Sequence, residues 1–258
     1  MQRTRRKRLN RIAVFAMLTL GISLTVISGI YLSSFLAILG VGIVFWGAVL
    51  LYITPARHVP LTLLNASTAA NAGNTERILT ELNLTEKGRY LPPKYLKNYE
   101  SSLIFIPEKP IQPLPKREET TEEKLTSKNP SGVFLTPPGM ALSKLFEQQL
   151  RVSFTKTDLS YLQQNLPKLL IEHMEIAETA EIQTQNDKIT IELTGNILNE
   201  ICQETQKHPR THEAVGCLLS SAIACAIAKA TGKAVIIEKE TQTPDNKTTR
   251  IEYQILEE

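Results

Sequence analysis

Three cysteines, one tryptophan and 6% aromatic residues in 258 are a thin supply, and each scarcity excludes something. Cys202, Cys217 and Cys225 are an odd set without a Cys-x-x-Cys pair, which excludes a disulfide-framed secreted scaffold and the usual zinc-ribbon spacing. Gly-x-Gly-x-x-Gly, the Walker phosphate loop and Gly-x-Ser-x-Gly are all absent, so the common nucleotide-binding and hydrolase signatures are gone too. The sharpest absence is of charge: Ile12 to Ala56 is 45 residues without Asp, Glu, Lys or Arg. No plain cytosolic enzyme needs such a stretch, and it is too long for a secretory signal, whose apolar region runs roughly 7–15 residues.

As one helix, rising about 1.5 Å per residue, the stretch would be nearly twice the length of a bilayer's hydrocarbon core of roughly 30 Å. It therefore reads as two transmembrane helices, 12–31 and 35–53, joined by a tight turn at Leu32-Ser33-Ser34. The hairpin brings both ends to one side. Arg3, Arg5, Arg6, Lys7, Arg8 and Arg11 form a basic tail over residues 1–11, and the positive-inside rule places that tail, and with it the C-terminal region, in the cytoplasm. Arg57 is set to anchor at the interface beyond the second span. The same basic side chains suit anionic lipid. No ionisable residue lies within the spans, which argues against an ion pathway and for a lipid-bilayer anchor. Gly21, Gly29, Gly40, Gly42 and Gly47 would let the two backbones approach closely.

After the membrane, residues 54–107 read as a juxtamembrane segment with small α/β elements: a polar neck at 65–74, helical spacing at Ile78, Leu79 and Leu82, and a short buried strand over 102–107. Residues 108–131 carry four prolines and ten charged residues, the composition of a flexible loop. From 132 to 258 the pattern is that of an α+β domain, an antiparallel sheet of about four strands packed on helices. Asp158 caps a helix through Leu159, Leu162 and Leu166. Asn186-Asp187 joins strands 181–185 and 188–194, and a last hairpin pairs 234–241 with 248–256. Ala214 to Ala228 is 15 residues without charge, closed by Gly232. At about 22 Å it is too short to span, so it reads as a buried central helix.

That helix is unusually rich in small residues, and Gly216, Cys217, Ser220, Ser221, Ala224 and Cys225 mark the face that packs or binds. Close intramolecular packing, a homodimer or other protein partner, and a small hydrophobic ligand beneath the sheet are all open uses of it. Cys202, Cys217 and Cys225 read as reduced core thiols. His208 and His212 have the spacing of helical metal ligands, with Cys202 and Cys217 nearby, but Pro209 between them denies a shared face, so no metal and no cofactor is expected. Glu172, His173 and Glu175 fall on a polar helix face, a solvated cluster. From Gly139 onward the chain has 12 basic and 17 acidic residues, net −5, which argues against nucleic acid.

Two resemblances emerge. The basic tail and two spans, then Tyr52-Ile53-Thr54-Pro55-Ala56-Arg57-His58-Val59-Pro60, Gly88-Arg89-Tyr90-Leu91-Pro92-Pro93 and Leu135-Thr136-Pro137-Pro138-Gly139, together resemble an uncharacterised archaeal membrane-protein family with a two-helix N-terminal anchor. Val215-Gly216-Cys217-Leu218 through Gly232-Lys233-Ala234-Val235 to the last strand is similar to the tail of 4-vinyl-reductase-type small-molecule-binding domains. That group commonly carries metal-associated cysteines around the last hairpin. Here Gln242 and Thr243 follow the strand and no cysteine lies beyond Cys225, so the resemblance implies a ligand cavity or a scaffold without that metal. With no catalytic constellation in the sequence, the expectation is a non-enzymatic, membrane-anchored binding or scaffold module. A sensor for a small hydrophobic ligand is the alternative, and an enzyme acting on lipid or isoprenoid the third.

Overall fold

A computed structural model describes residues 2–53, 61–96, 102–117, 120, 125–243, 245 and 247–256. The chain divides into two compact units, Met1–Pro60 and Leu61–Glu258.

The first unit is a helical hairpin of α1 (Gln2–Tyr31) and α2 (Ser34–Ile53), turned at Leu32 with φ 50°. The helix begins well before the first expected span, so the basic residues from Arg3 to Arg11 lie on α1 itself. Arg57 lies outside the described residues. Three of the five glycines work as contact points. A Cβ on Gly21 would meet Val44, one on Gly40 would meet Thr25 and one on Gly47 would meet Leu18, all under 3 Å. Gly29 and Gly42 face open space. Over Val14–Tyr31 only 17% of residues are buried, and Phe15, Ile30, Phe35, Ile38, Phe45 and Trp46 all face outward. α1 thus carries an apolar stretch long enough to cross a bilayer, Val14–Tyr31, and α2 a shorter one, Ser34–Leu50, laid side by side with their large side chains exposed.

The second unit is α+β. It opens with α3 (Leu61–Glu81), a single helix running straight through the polar neck. Asn, Ser and Thr are indifferent helix formers, but tertiary packing overrides propensity: Ala72 and Leu79 are buried, and the Thr211 hydroxyl donates to the Ala72 carbonyl at 3.1 Å. β1 (Arg89–Leu91) and β2 (Leu103–Pro107) follow, then β3 (Thr126–Lys128) and β4 (Ser131–Leu135). The helices α4 (Met140–Leu150) and α5 (Leu159–Lys168) lead to the hairpin β5 (Thr179–Gln185) and β6 (Lys188–Thr194). Next come α6 (Asn199–Gln206), α7 (Pro209–Val215) and α8 (Leu218–Thr231), and the chain closes with β7 (Val235–Gln242) and β8 (Thr248–Ile255).

The sheet has eight strands rather than about four, ordered β3-β4-β2-β1-β7-β8-β6-β5 and antiparallel throughout. The domain therefore starts at α3, not at residue 132. The extra strands give no alternating signal, because one end of the sheet is covered on both faces. Ile104 and Ile106 join the main core while Leu103 and Phe105 join a second cluster with Leu91, Leu96 and Phe134. β3 sits inside the expected flexible loop. Arg89 ties another part of that loop down by donating to the carbonyls of Pro110 and Gln112.

α8 is the central helix, and 83% of the apolar stretch Pro209–Thr231 is buried. It lies across β1, β7 and β8 with α4 and α5 beside it. Gly139 shows how closely the β4–α4 turn approaches: a Cβ there would stand 2.0 Å from the Ala222 nitrogen. Asp158 caps α5 as expected, accepting from the Tyr161 N–H at 2.8 Å, and Gly232, at φ 66°, ends α8. In α4, Phe146 is buried but Leu145 turns outward, so the apolar stripe is narrower than its spacing suggests.

Candidate functional site

The junctions of α6, α7, α8 and β7 bring four side chains with metal-ligating chemistry to one point. Cys202 comes from α6, His212 from α7, Cys217 from the N-cap of α8 and Glu240 from β7. The Glu240 Oε1 atom accepts from both thiols at 3.0 Å. Its Oε2 lies 3.5 Å from His212 Nε2, which is 4.0 Å from the Cys202 Sγ.

Glu240 owes its place to an irregularity in β7. Before it, Val235 and Ile237 point to the helices, with Ile237 opposite Tyr253. The register shifts between Ile237 and Lys239, which leaves Glu238 as the extra residue, and from there Glu240 faces inward, opposite Ile251. An unbroken strand would have sent Glu240 to solvent with Glu238, and the bulge reverses the alternation. The Glu238 carbonyl accepts from the Lys87 ammonium, which holds the bulge. The Glu240 side chain ends 2% exposed.

Cys217 is placed by a comparable constraint. Gly216 has φ 65° and ψ −170°, a region open essentially to glycine alone. The chain reverses there, from the end of α7 to the cap of α8. Ser220 Oγ then accepts from the Cys217 N–H at 2.9 Å and lies 3.4 Å from its sulfur. Two buried phenols fix the same junction from the sheet side: Tyr90 donates to the Val215 carbonyl at 2.6 Å and Tyr253 to the Ser220 carbonyl at 3.0 Å. Burial raises both phenols well above the ordinary tyrosine range, so they remain donors. α6 is pinned by Thr249, whose hydroxyl donates to Asn199 Oδ1 at 3.0 Å.

The electrostatics follow from this packing. Burial alone would push the Glu240 carboxyl up, but His212 beside it and the bonds from Cys217 and Cys202 outweigh burial and hold it down at about 2. The Cys202 thiol is pushed far above the thiol range, first by its contact with Cys217, then by burial and the Glu240 charge. The group is therefore a buried carboxylate clasped by protonated sulfur, with Oε2 lacking any hydrogen-bond partner. A divalent ion answers that need. Tetrahedral zinc bonds of about 2.0–2.3 Å put neighbouring ligand atoms about 3.3–3.8 Å apart; here Cys202, Cys217 and Glu240 offer ligand atoms within 4.8 Å of one another, and His212 stands outside that set, 3.5 Å from Glu240 Oε2 and 4.0 Å from Cys202 Sγ. Among the described residues this is the cluster of thiol and carboxylate ligand atoms within 4.8 Å of one another.

Of the six residues singled out on the small-residue helix, Gly216, Cys217 and Ser220 belong to this site. Ser221 accepts from the Gly139 N–H at 3.0 Å, and Ala224 and Cys225 are core. Cys225 is a buried thiol pushed up to about 12, chiefly by burial. Pro209 does separate the two histidines: His208 caps α7 and packs toward Gly73, while His212 alone turns to the cluster. The spacing of the two histidines therefore brings only His212 to the cluster, and Glu240 is the ligand-type side chain that this spacing does not point to. No local signal in the sequence marks Glu240, which shares its strand with Glu238 and Lys239.

No curated protein and no solved structure matches the chain. A single family covers residues 1–254, the hairpin and nearly all of the α+β unit together, and the chain belongs to it: the family defined by a domain of unknown function, DUF7982.

Proposed function

We propose that this protein is a membrane-anchored, non-enzymatic module whose α+β unit holds a divalent transition-metal ion, zinc by preference, on Cys202, His212, Cys217 and Glu240. The observation that carries the reading is the Glu240 carboxylate, 2% exposed, meeting two thiols at 3.0 Å while its second oxygen faces His212 at 3.5 Å without a hydrogen bond. Two sulfurs, one imidazole and one carboxylate favour zinc over magnesium or calcium, which take oxygen ligands. Four protein ligands leave no open position for substrate, so the ion would be structural, joining three helices to β7. Its arrival would displace the two thiol protons and leave two thiolates and one carboxylate around a dication.

The hairpin supports the anchoring half of the reading: α1 and α2 present large apolar side chains outward, and the basic residues Arg3 to Arg11 would set the N-terminus and the α+β unit on the cytoplasmic side. A scaffold or protein-partner role follows from a closed core. Ala222, Ile223 and Ala224 are fully buried beneath the sheet, which supports close packing there.

The test is metal content of the full chain, purified in nanodiscs without added metal and measured by mass spectrometry. About one zinc per chain is expected. Cys217→Ser and Glu240→Gln should each lose most of it, whereas Cys225→Ser should keep it. Equal metal in all four proteins would reject the site.

A further inference from the structure

A cavity of about 410 Å³ lies between α3, the 135–138 segment and residues of α6, α7, α8 and the turn at Gly216. Its apolar wall is made by Ile78, Leu135, Val215 and Leu218, and its polar wall by the side chains of Asn71, Thr75 and Thr211 among others. A volume of this size is that of a small-molecule site, and a mostly apolar lining with a few convergent polar groups is the usual composition of one.

The lining chemistry narrows the occupant. Among the described residues no Lys, Arg, Asp, Glu or His lines the cavity. The nearest carboxylate, Glu76, is already engaged by the Thr211 N–H at 2.8 Å and the Thr211 hydroxyl at 3.0 Å. A charged ligand would be desolvated there without a counter-ion. The hydroxyls have also committed their protons. Thr75 donates to the Asn71 carbonyl at 3.1 Å, and Thr211 has the Ala72 carbonyl and Glu76 within reach. These two oxygens keep lone pairs, while Asn71 and Asn74 add carboxamides that both donate and accept, so the polar wall suits a neutral group that can do both, as a hydroxyl does. No aromatic side chain lines the cavity among the described residues, which leaves aliphatic contact rather than stacking.

We infer that this cavity is a binding site for a neutral aliphatic molecule bearing a hydroxyl group. The inference does not depend on the metal reading, since none of the four proposed ligands lines the cavity.

The experiment uses the full chain in nanodiscs with ¹³C-labelled Ile, Leu and Val methyls, titrated with cyclohexanol and, as a matched anion, cyclohexanecarboxylate. The methyls of Ile78, Leu135, Val215 and Leu218 should shift saturably with the alcohol, at least tenfold more tightly than with the carboxylate, while Ile191 and Ile251 in the sheet core stay fixed. Thr75→Phe fills the space and gives up only a local helix bond, and it should abolish the response. If that variant also displaces the core methyls, Leu218→Phe takes its place with the same expectation. Absence of a saturable shift at the four methyls would overturn the inference. So would equal affinity for the carboxylate, or a response that survives in a filled variant with an unchanged core.

Discussion

Gly216→Ala isolates the geometry on which the α7–α8 junction depends. Two costs add. At φ 65° and ψ −170° an alanine is strained by about 1–3 kcal/mol. Its Cβ would also stand 2.5 Å from Ile237 Cδ1 and 2.7 Å from Ser220 Oγ. The isoleucine tip can swing away, but Ser220 cannot without releasing the Cys217 N–H it holds at 2.9 Å, and such overpacking costs about 1–3 kcal/mol more. Gly232 is the internal control. It has nearly the same φ, 66°, but lies in the ordinary left-handed region with nothing within 4 Å of a built Cβ, so Gly232→Ala should cost only about 1 kcal/mol. Urea denaturation of both variants in nanodiscs, followed by far-UV circular dichroism, compares them directly. The expected gap is about 1–5 kcal/mol against Gly216→Ala, with zinc affinity lowered in that variant alone. Equal costs would refute the reasoning that this turn is both strained and crowded.

Other outcomes follow from the core. Ala224→Leu should destabilise by about 1–3 kcal/mol in the same assay, because Ala224 is fully buried in a filled core; a neutral result would mean unfilled space beneath the sheet. Lys229→Met leaves Glu147, 2.9 Å away, as a buried carboxylate without its cation, so stability should fall by about 3 kcal/mol. Glu147 keeps its bonds from the Phe154 N–H and Ser153 hydroxyl, and the Lys229→Met/Glu147→Gln double variant should recover part of the loss. Alkaline pH should destabilise the fold through Cys225. Its folded pKa of about 12 lies above the unfolded thiol value, so the stabilisation is complete below about pH 8.5–9 and is lost as pH rises toward 12. At pH 10 the loss is about 1–2 kcal/mol, and a Cys225→Val variant should show a correspondingly flatter decline in denaturation midpoint; parallel curves would contradict this.

What was legible in the sequence is what depends on neighbours in the chain. The uncharged stretch set the hairpin to within a few residues at its turn, Asn186-Asp187 marked the β5–β6 hairpin, and the alternation of Ile251, Tyr253 and Ile255 marked β8. β2 showed as a short apolar run, although a strand covered on both faces loses the period of two; β1 was harder to see at three residues, and β3 is three polar residues paired only at one edge. α3 was hidden by residues that favour helix only when a partner holds them. The candidate site was hidden for a different reason. Its side chains span Cys202 to Glu240 in sequence, and Glu240 turns inward only because of the bulge after Ile237, a feature with no local signature. The pair that did carry a spacing signal, His208 and His212, drew attention to the wrong partner.

The central claim is that Cys202, His212, Cys217 and Glu240 together hold a metal ion. X-ray absorption at the zinc edge on the full chain in nanodiscs tests it most directly. The account predicts a four-coordinate ion with two sulfur neighbours at about 2.3 Å and two nitrogen or oxygen neighbours at about 2.0–2.2 Å, one sulfur being lost in Cys202→Ser. A shell of six light atoms without sulfur, or a spectrum unchanged in that variant, would contradict it.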